Sequence, residues 1–483
     1  MKKFFAYACF RLAVLAVVAM SGMPAEAQLL RTSYFMDGSH YRMQLNPAMA
    51  PARGFVHLPV VSNTGAAYRS SSLSIDNLFD IIDNSTHASY FTGDKFYNNL
   101  EDMNNALLNV GTDLLAVGWW HGQSFWSLNV GLKVDGDISA PRALFSFLRD
   151  MKGITGVDYA NYTSEVTNEE INLNAYTEFG VGWARQYGNF SAGLRAKALM
   201  GLGNVNFKVN QMLVKTNFQG VDPYIDWGEV DYEDLADVTG TATVDVDAVL
   251  ETSFEGLKYP TNEKGYIDDV DFESGKMGAA GVGAAFDAGV AWRVAGGLTL
   301  SAAVVDLGFI KWSKKASQTA RSSSTSMTFS TDNPEGLADF ADIVSLGKVV
   351  NADLLRLYPE GKVEKARTTN LASTMVVGAE YAFMEDRLRL GALYSNHFAY
   401  VKNESEVTLS VNYSPSSLVD LAVSYSPMLS GGKSFGIAVK AGPLFVGTDY
   451  MYLGKDTKCC NALVGLSIPL GKKNAAEQEN STK

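Results

Sequence analysis

Apolar and polar residues alternate one by one through long stretches of the C-terminal half of the chain. In one stretch Val407, Leu409 and Val411 alternate with Thr408 and Ser410. Successive side chains of a β-strand point to opposite faces of its sheet, so a period of two residues predicts a strand with one apolar and one polar face.

The same alternation recurs along most of the sequence. Candidate strands cover residues 114–121, 124–134, 171–185, 189–209, 239–254, 282–292, 298–307, 368–383, 387–398, 407–413, 419–425, 435–439, 444–453 and 462–470. Breaks such as Ser414-Pro415 and Gly296-Gly297 separate the stretches, as turn residues do. We predict an all-β fold of about 14 strands.

The length and chemistry of the strands favour a membrane. Many reach about nine residues, which is what a tilted transmembrane strand needs. Several apolar faces end in aromatic residues, namely Trp292, Tyr394, Tyr413 and Tyr425, as interfacial girdles do. We therefore predict a transmembrane antiparallel β-barrel, with Leu409 and its apolar neighbours facing lipid and Thr408 and Ser410 facing the lumen. A large soluble sandwich is the alternative.

The first residues indicate export. Lys2, Lys3 and Arg11 precede an apolar run at residues 12–20, and Ala25-Glu26-Ala27 is a small-x-small cleavage pattern. The run is too short to span about 30 Å of hydrocarbon as a helix. We expect residues 1–27 to be a cleaved signal peptide and the protein to reside in the outer membrane of a Gram-negative cell.

Charge excludes one class of partner. The net charge is −12, and removing residues 1–27 leaves 456 residues with a net charge of −14. Nucleic acid is therefore not an expected partner, since phosphate binding requires clustered Lys and Arg. Two cysteines remain, Cys459 and Cys460, and adjacent cysteines form no disulfide framework.

The connections divide the chain. We expect an N-terminal segment at residues 28–110, a barrel at 111–470 and a polar tail at 471–483. Some turns are tight, whereas the connections at 211–239 and 308–367 are long and polar. Short helices are predicted at 141–151 and 334–346, and within 73–109, where Asp76 and Asp80 lie near possible helix starts.

Residues with possible chemistry give weak signals. Gly432-Lys433-Ser434-Phe435-Gly436 matches the G-x-S-x-G pattern, but it sits where a turn enters a strand. His121 and His397 are the histidines that a barrel hydrolase would use. Acidic runs at 222–237 and 268–273 favour solvated loops over Ca²⁺ sites. We expect no enzyme activity, no cofactor and no metal site.

Several short motifs carry a resemblance to known barrels. Leu45-Asn46-Pro47-Ala48 is similar to an element of FadL-like barrels that lies in a lumen plug. The chain as a whole resembles a Bacteroidota-type outer-membrane barrel family of unknown function. The motifs that carry this are Asn46-Pro47-Ala48, Leu58-Pro59, residues 141–148 with Gly153, residues 174–180, residues 193–197 with Gly201, Phe286-Asp287-Ala288-Gly289, and residues 306–310 with Trp312.

The resemblance implies about 14 strands and an N-terminal segment in the lumen, with distant likeness to hydrophobic-solute transporters and to the shuttle barrel of type IX secretion. The resulting plug-like residues are Asn46, Pro47, Ala48 and Pro51. Residues 46–59 are expected in or across the lumen, because Pro47, Pro51 and Pro59 resist strand pairing; the alternative is that this stretch leads into the first strand. The polar strand faces suggest four lumen residues, namely Asp287, Arg293, Asp420 and Lys440.

The leading functional hypothesis is passive transport of a small or hydrophobic solute past the plug, with kinks opening a way through the wall. The alternative is a surface-binding, secretion or assembly barrel. Expected partners are outer-membrane lipid, a small hydrophobic solute, and a surface or secretion partner.

Overall fold

The computed structural model describes residues 30–57, 64–84, 88–151, 155–156, 158–220, 239–273, 278–322, 327–330, 355–361, 365–416, 418–429, 431–451, 453–454 and 456–471. The expected signal peptide at 1–27, the helix at 334–346, the acidic run at 222–237, Pro59 and all but the first residue of the polar tail lie outside these ranges.

The helices are short. They are α1 (Arg42–Leu45), α2 (Ile75–Asn84), α3 (Ala88–Thr92), α4 (Asp94–Tyr97) and α5 (Arg142–Met151), with 3-10 turns at Arg31–Ser33 and Tyr159–Asn161. Within the described residues, none is long and apolar enough to cross a bilayer.

Strands make up most of the fold. They are β1 (Gly54–His57), β2 (Thr64–Ser70), β3 (Met103–His121), β4 (Ser124–Pro141), β5 (Thr163–Tyr187), β6 (Phe190–Gln219), β7 (Thr239–Phe254), β8 (Leu257–Lys258), β9 (Asp271–Phe272), β10 (Gly281–Ala295), β11 (Leu298–Trp312), β12 (Ser317–Ser322), β13 (Met327–Ser330), β14 (Leu357–Pro359), β15 (Arg367–Asn370), β16 (Ser373–Phe383), β17 (Leu388–Phe398), β18 (Glu404–Ser416), β19 (Val419–Met428), β20 (Ser434–Ala441), β21 (Leu444–Thr448) and β22 (Cys459–Leu470).

Fourteen strands close into a ring of antiparallel neighbours. The order is β1, β3, β4, β5, β6, β10, β11, β16, β17, β18, β19, β20, β21 and β22, which pairs back to β1. β2 continues the wall beyond β1, because it pairs with the same two neighbours. The expected all-β transmembrane barrel of about 14 strands is therefore confirmed.

Burial separates the two faces of the wall. On β18, Leu409 and Val411 are 47% and 48% exposed, whereas Thr408 and Ser410 are 2% and 5% exposed. The predicted facing of these four residues is therefore correct: the apolar set lies outside and the polar set inside. Val407, near the end of the strand, is half-buried.

The two ends of the barrel differ. At the short-turn end, strands are joined by tight turns at residues 122–123, 188–189, 296–297, 384–387 and 442–443. At the long-loop end, β5 and β6 run to 25 and 30 residues. They continue past the ring, pair with β7, and enclose an apolar core with α5 that includes Phe147 and Phe207.

Exposed aromatic residues gather at the short-turn end of the outer face. Trp119 pairs with Trp126 across one hairpin, and Phe190 pairs with Trp292 across β6 and β10. All four are 38–50% exposed. Such rings lie at the boundary between hydrocarbon and water, so this row marks one edge of the apolar band.

Several expected boundaries differ from the structure. The wall begins at Gly54, inside the segment 28–110. The expectation that the plug reaches Pro59 is therefore wrong for residues 54–57, because they form β1 and pair with β3 and β22. The predicted helices at 141–151 and within 73–109 correspond to α5 and to α2–α4, but Met103–Asn109 belongs to β3. β6 reaches Gln219, and β12–β14 lie in the long 308–367 connection.

A substitution on the outer face tests the assigned orientation. Replacing Leu409 by Arg at the middle of β18 should lower the free energy of unfolding by about 2–4 kcal/mol, because the charge enters hydrocarbon. The matched change Leu418→Arg, in the turn between β18 and β19 where Leu418 is 56% exposed, should cost about 0–1 kcal/mol. Denaturant unfolding in lipid vesicles measures both; equal losses would contradict the orientation.

Candidate functional site: the N-terminal segment in the lumen

Residues 30–53, called the plug below, lie inside the barrel. The 3-10 turn Arg31–Ser33 packs against β18–β21, and α1 packs against β11. The plug side chains Tyr34, Phe35, Met36 and Leu45 are at most 1% exposed. The segment expected to be plug-like is thus a packed part of the structure, and it occupies space that an empty barrel would leave to water.

Arg31 anchors the start of the plug. Its Nε lies 3.1 Å from Glu406 Oε2 and donates to Ser395 Oγ at 2.8 Å, while Nη1 donates to the Tyr450 hydroxyl at 3.0 Å. The backbone N–H of Arg31 donates to Asp449 Oδ2 at 3.0 Å. Arg31 is 2% exposed. Losing one partner of such a buried pair typically costs about 3–5 kcal/mol, so this contact holds the plug strongly.

Asn46 ties the plug to the middle of the wall. Its Nδ2 donates to the Tyr34 hydroxyl at 3.0 Å and to the main-chain oxygens of Val290 and Ala302 at 3.2 and 3.5 Å. Its Oδ1 accepts from the N–H of Ala48 at 3.0 Å. The Asn-Pro-Ala motif therefore has a physical role: the amide turns the plug chain and bonds it to β10 and β11.

The inner wall carries glycines where the plug approaches it. A Cβ atom at Gly193 would lie 2.3 Å from the carbonyl carbon of Pro47, and one at Gly289 would lie 2.0 Å from Asn46 Oδ1. Real side chains do not reach such distances, so only glycine permits this docking. Close contacts of the same kind occur at Gly378, Gly391, Gly436, Gly447 and Gly465.

Asp37 lies between two arginines. Its carboxylate contacts Arg42 Nη1 at 2.5 Å and Arg389 Nη2 at 3.1 Å, the second on β17. Burial alone would raise the pKa of Asp37, but Arg389 and Arg42 outweigh burial and hold the pKa well below its ordinary value. The carboxylate therefore stays ionised at neutral and mildly acidic pH, and α1 stays bound to the wall.

A mouth cavity opens beside the plug at the short-turn end, with a volume of about 530 Å³. Three of the four expected lumen residues line it: Arg293, Asp420 and Lys440. Arg293 contacts Asp386 at 3.2 Å. Asp420 accepts from the backbone N–H of Gly38 at 2.9 Å, and so helps to hold the plug.

Two histidines separate this mouth from a second cavity. His40 of the plug and His57 of β1 meet with their Nε2 atoms 2.5 Å apart, and the His40 ring stacks on Phe55. Burial, followed by the neighbouring His57, lowers the pKa of His40 well below its ordinary value. A neutral pair shares one hydrogen bond, with one ring as donor and the other as acceptor.

The second, inner cavity lies behind the plug and has a volume of about 100 Å³. Its wall side carries a cluster of buried charges. Lys197 Nζ contacts Asp306 at 2.5 Å, Asp287 at 2.8 Å and Glu178 at 3.5 Å. Lys133 lies 3.1 Å from Glu178. Asp287, the fourth expected lumen residue, is therefore a fully buried member of an ion-pair network.

The pairing of β10 with β11 shifts register next to this cavity. Asp306 on β11 has a φ of 59°, and its N–H donates to the side-chain Oδ1 of Asp287 on β10 at 2.8 Å. Opposite, Leu371 and Ala372 separate β15 from β16, although the Leu371 N–H still donates to the main-chain oxygen of Gly308 at 2.9 Å. A non-glycine residue with positive φ is uncommon and indicates a constraint at this point of the wall.

Sequence reasoning found only part of this site. Asn46, Pro47 and Ala48 lie in the lumen, and the Pro51 carbonyl accepts from Trp120 Nε1 at 3.0 Å. Arg31 was missed, and Lys197 and Asp306 were named only within motifs that carry the resemblance, without a role in the lumen. Inward-facing charged residues in strands, and glycines at alternate positions, are the signals that would have indicated them.

Of the other candidates, His397 lines the inner cavity. Ser434 begins β20, so its motif enters a strand and lacks the strand-to-helix turn of a nucleophile. His397 Nδ1 lies 2.9 Å from Thr374 Oγ1. In the described ranges no group of three or more His, Cys, Asp or Glu is placed to hold a metal. Cys459 and Cys460 are free thiols.

Glycine substitution tests the docking of the plug. Gly193→Ala combined with Gly289→Ala should displace the plug, because overpacking costs about 1–3 kcal/mol per site. Trypsin cleavage after Arg42 in the folded barrel should then rise by about tenfold or more. The control is Gly136→Ala on β4, where the nearest atom to an added Cβ is at 3.5 Å. Unchanged cleavage in a barrel that still migrates as folded before heating would refute the docking.

The fold is similar to solved structures. These include the toluene transporter TbuX of Ralstonia pickettii (8% identity, TM-score 0.41, covering 91% of this chain and 98% of that one) and the toluene transporter TodX of P. putida (9% identity, TM-score 0.38, covering 92% and 99%). No curated protein matches the sequence. The expected membership of a family of unknown function is confirmed, since residues 47–449 match a family model, and the chain belongs to the Family of unknown function (DUF5723).

Proposed function

We propose that this protein is an outer-membrane channel for passive passage of a small hydrophobic solute, closed at rest by its plug. The observation that carries the proposal is the plug itself, a segment docked through Arg31, Asn46 and a row of wall glycines. A barrel that serves only as a scaffold does not need wall glycines that give a lumen segment room to dock. A channel that has to be closed needs such a docked segment.

An irregular part of the wall supports a route for an apolar solute. Asp306, Ala372 and Thr374 line the inner cavity on the side where β15 and β16 separate. Leu371 is 6% exposed, packs with Ile310 and Trp312, and donates its N–H to the Gly308 oxygen at 2.9 Å. If Leu371 left these contacts, the cavity would join the surrounding hydrocarbon without requiring the solute to enter water.

The neighbouring structures agree in kind. The TbuX and TodX barrels are described as transporters of toluene, an apolar molecule. The expectations that this chain lacks enzyme activity, is of Bacteroidota type, or resembles the type IX secretion barrel stay predictions.

A reversible cross-link tests whether the plug must move. A Cβ atom at Gly38 would lie 3.3 Å from Asp420 Cγ, so cysteines at both positions are within reach of a disulfide. In proteoliposomes, Gly38→Cys with Asp420→Cys should lose toluene uptake when oxidised and regain it with reductant.

The chain offers a matched control for this cross-link. A Cβ atom at Gly431 would lie 3.6 Å from Cys459 Cβ, so Gly431→Cys forms a disulfide in the wall and its loops that does not touch the plug. This variant should keep its uptake when oxidised. Full uptake by the oxidised Gly38–Asp420 variant would show that the plug does not control passage.

The location in the outer membrane is open to a direct test. A closed ring with an apolar outer face satisfies its backbone groups within lipid, so the protein should stay in the outer-membrane fraction after carbonate and high-salt washes. Recovery in the soluble periplasmic fraction would rule out this location.

A surface-binding or assembly role is the second candidate. The long-loop end supports it, because β5 and β6 extend beyond the ring and enclose an apolar core of their own with α5. Loops that only close the end of the barrel do not need an apolar core of their own. A variant shortened at this end that keeps toluene uptake but loses a surface partner would favour this role.

A further inference from the structure

The inner cavity contains buried polar atoms that nothing in the described residues satisfies. Asn109 Oδ1, Ser127 Oγ and His57 Nδ1 have no hydrogen-bond partner there. All three residues line the inner cavity, and they are 6%, 5% and 1% exposed. Native structures rarely leave buried polar groups unpaired, so a guest that offers positive charge or hydrogen-bond donors is expected in this space.

The size of the inner cavity limits that guest. It has about 100 Å³ of space, whereas one water needs about 10–15 Å³ by the same measure. The cavity therefore holds several waters, or one small solute with fewer waters. His40 of the plug and Phe55 of β1 also line the mouth cavity, so a guest that enters from the short-turn end has to pass the contact between His40 and His57.

The surrounding charge is negative. The charged side chains that line the cavity are balanced, four cationic and four acidic, but their described ion-pair partners outside the lining are three carboxylates, so the two sets together have a formal charge of −3. The cations are Arg31, Lys133, Arg195 and Lys197, and the carboxylates are Asp113, Asp135, Glu178, Asp287, Asp306, Glu406 and Asp449. An excess of buried negative charge is unfavourable without compensation, and it raises the local concentration of cations.

We propose that the inner cavity binds one small monovalent cation, an alkali ion or a protonated amine. Asn109 Oδ1 and Ser127 Oγ supply neutral oxygens, His57 Nδ1 a neutral nitrogen, and Asp135 a carboxylate beside Asn109, which donates to it at 2.8 Å. Among the unpartnered atoms of the lining Arg195 Nε is a donor, but the acceptors, which include Glu178 Oε2, outnumber it and favour a cation over an anion. The site goes beyond the proposed uptake, and its occupancy is measurable without any transport.

Equilibrium dialysis of the full-length protein in detergent micelles tests the site. Radiolabelled rubidium and methylammonium are the probes, and an excess of the same unlabelled cation is the competitor that should displace each of them. We expect saturable binding of one probe cation per chain. Asp135→Asn should weaken cation binding by about tenfold, and Ser127→Ala should weaken it by about threefold. The second variant provides the test if Asp135→Asn does not fold.

The control variant is Asp94→Asn on α4, a carboxylate that is 78% exposed and pairs with Arg149 outside the cavity. Its binding should equal that of the parent. Retention of one probe alone supports the proposal and identifies the source of the cation. No saturable retention of either probe, or retention unchanged in both Asp135→Asn and Ser127→Ala, overturns it. Loss of toluene uptake with retained cation binding would count against the channel and not against this site.

Discussion

The closed hydrogen-bonded ring is the constraint on which the rest of the structure depends. In hydrocarbon each unpaired backbone group costs several kcal/mol, so the strands can span the membrane only if every edge has a partner. The pairing of β1 with β22 provides that closure. Because the outer face must be apolar, polar and charged side chains are confined to the lumen. The lumen then has to neutralise them, and it does so with ion pairs and with the plug.

The plug fits the wall both because wall glycines lack side chains and because plug residues bond to the wall. Wall glycines remove the side chains that would exclude the plug, and Asn46 then reaches the main chain of β10 and β11. The fit leaves the side of β3–β6 uncovered, and the inner cavity and its charges lie there. The docking of the plug therefore has two results: the plug packs tightly against the wall glycines, and a polar cavity remains beside β3–β6.

The sequence predicted those features that depend only on neighbouring residues in the chain. Alternation along β18 predicted which face is outside, because the period of two residues follows from strand geometry alone. It was less informative about β1, β2 and the strands β12–β14, which are short and gain stability from their neighbours. The site was the hardest part to predict from the sequence. Arg31 and Glu406 are 375 residues apart in the chain, and no local sequence pattern predicts their contact. The Asn46 motif was recognised as plug-like, but its bonds to Val290 and Ala302 required the fold.

The partners of Arg31 have a consequence for the order in which the protein assembles. Asp449 and Tyr450 follow β21, near the end of the chain, and Gly54 pairs with Leu470 in the last strand. The plug, although it precedes every strand of the ring, is therefore among the last parts of the chain to reach its final position. Until β22 arrives, a segment with buried Tyr34, Phe35 and Met36 has no lumen to enter. Its apolar side chains are exposed until then, so the interval before closure is when the chain is most prone to aggregation.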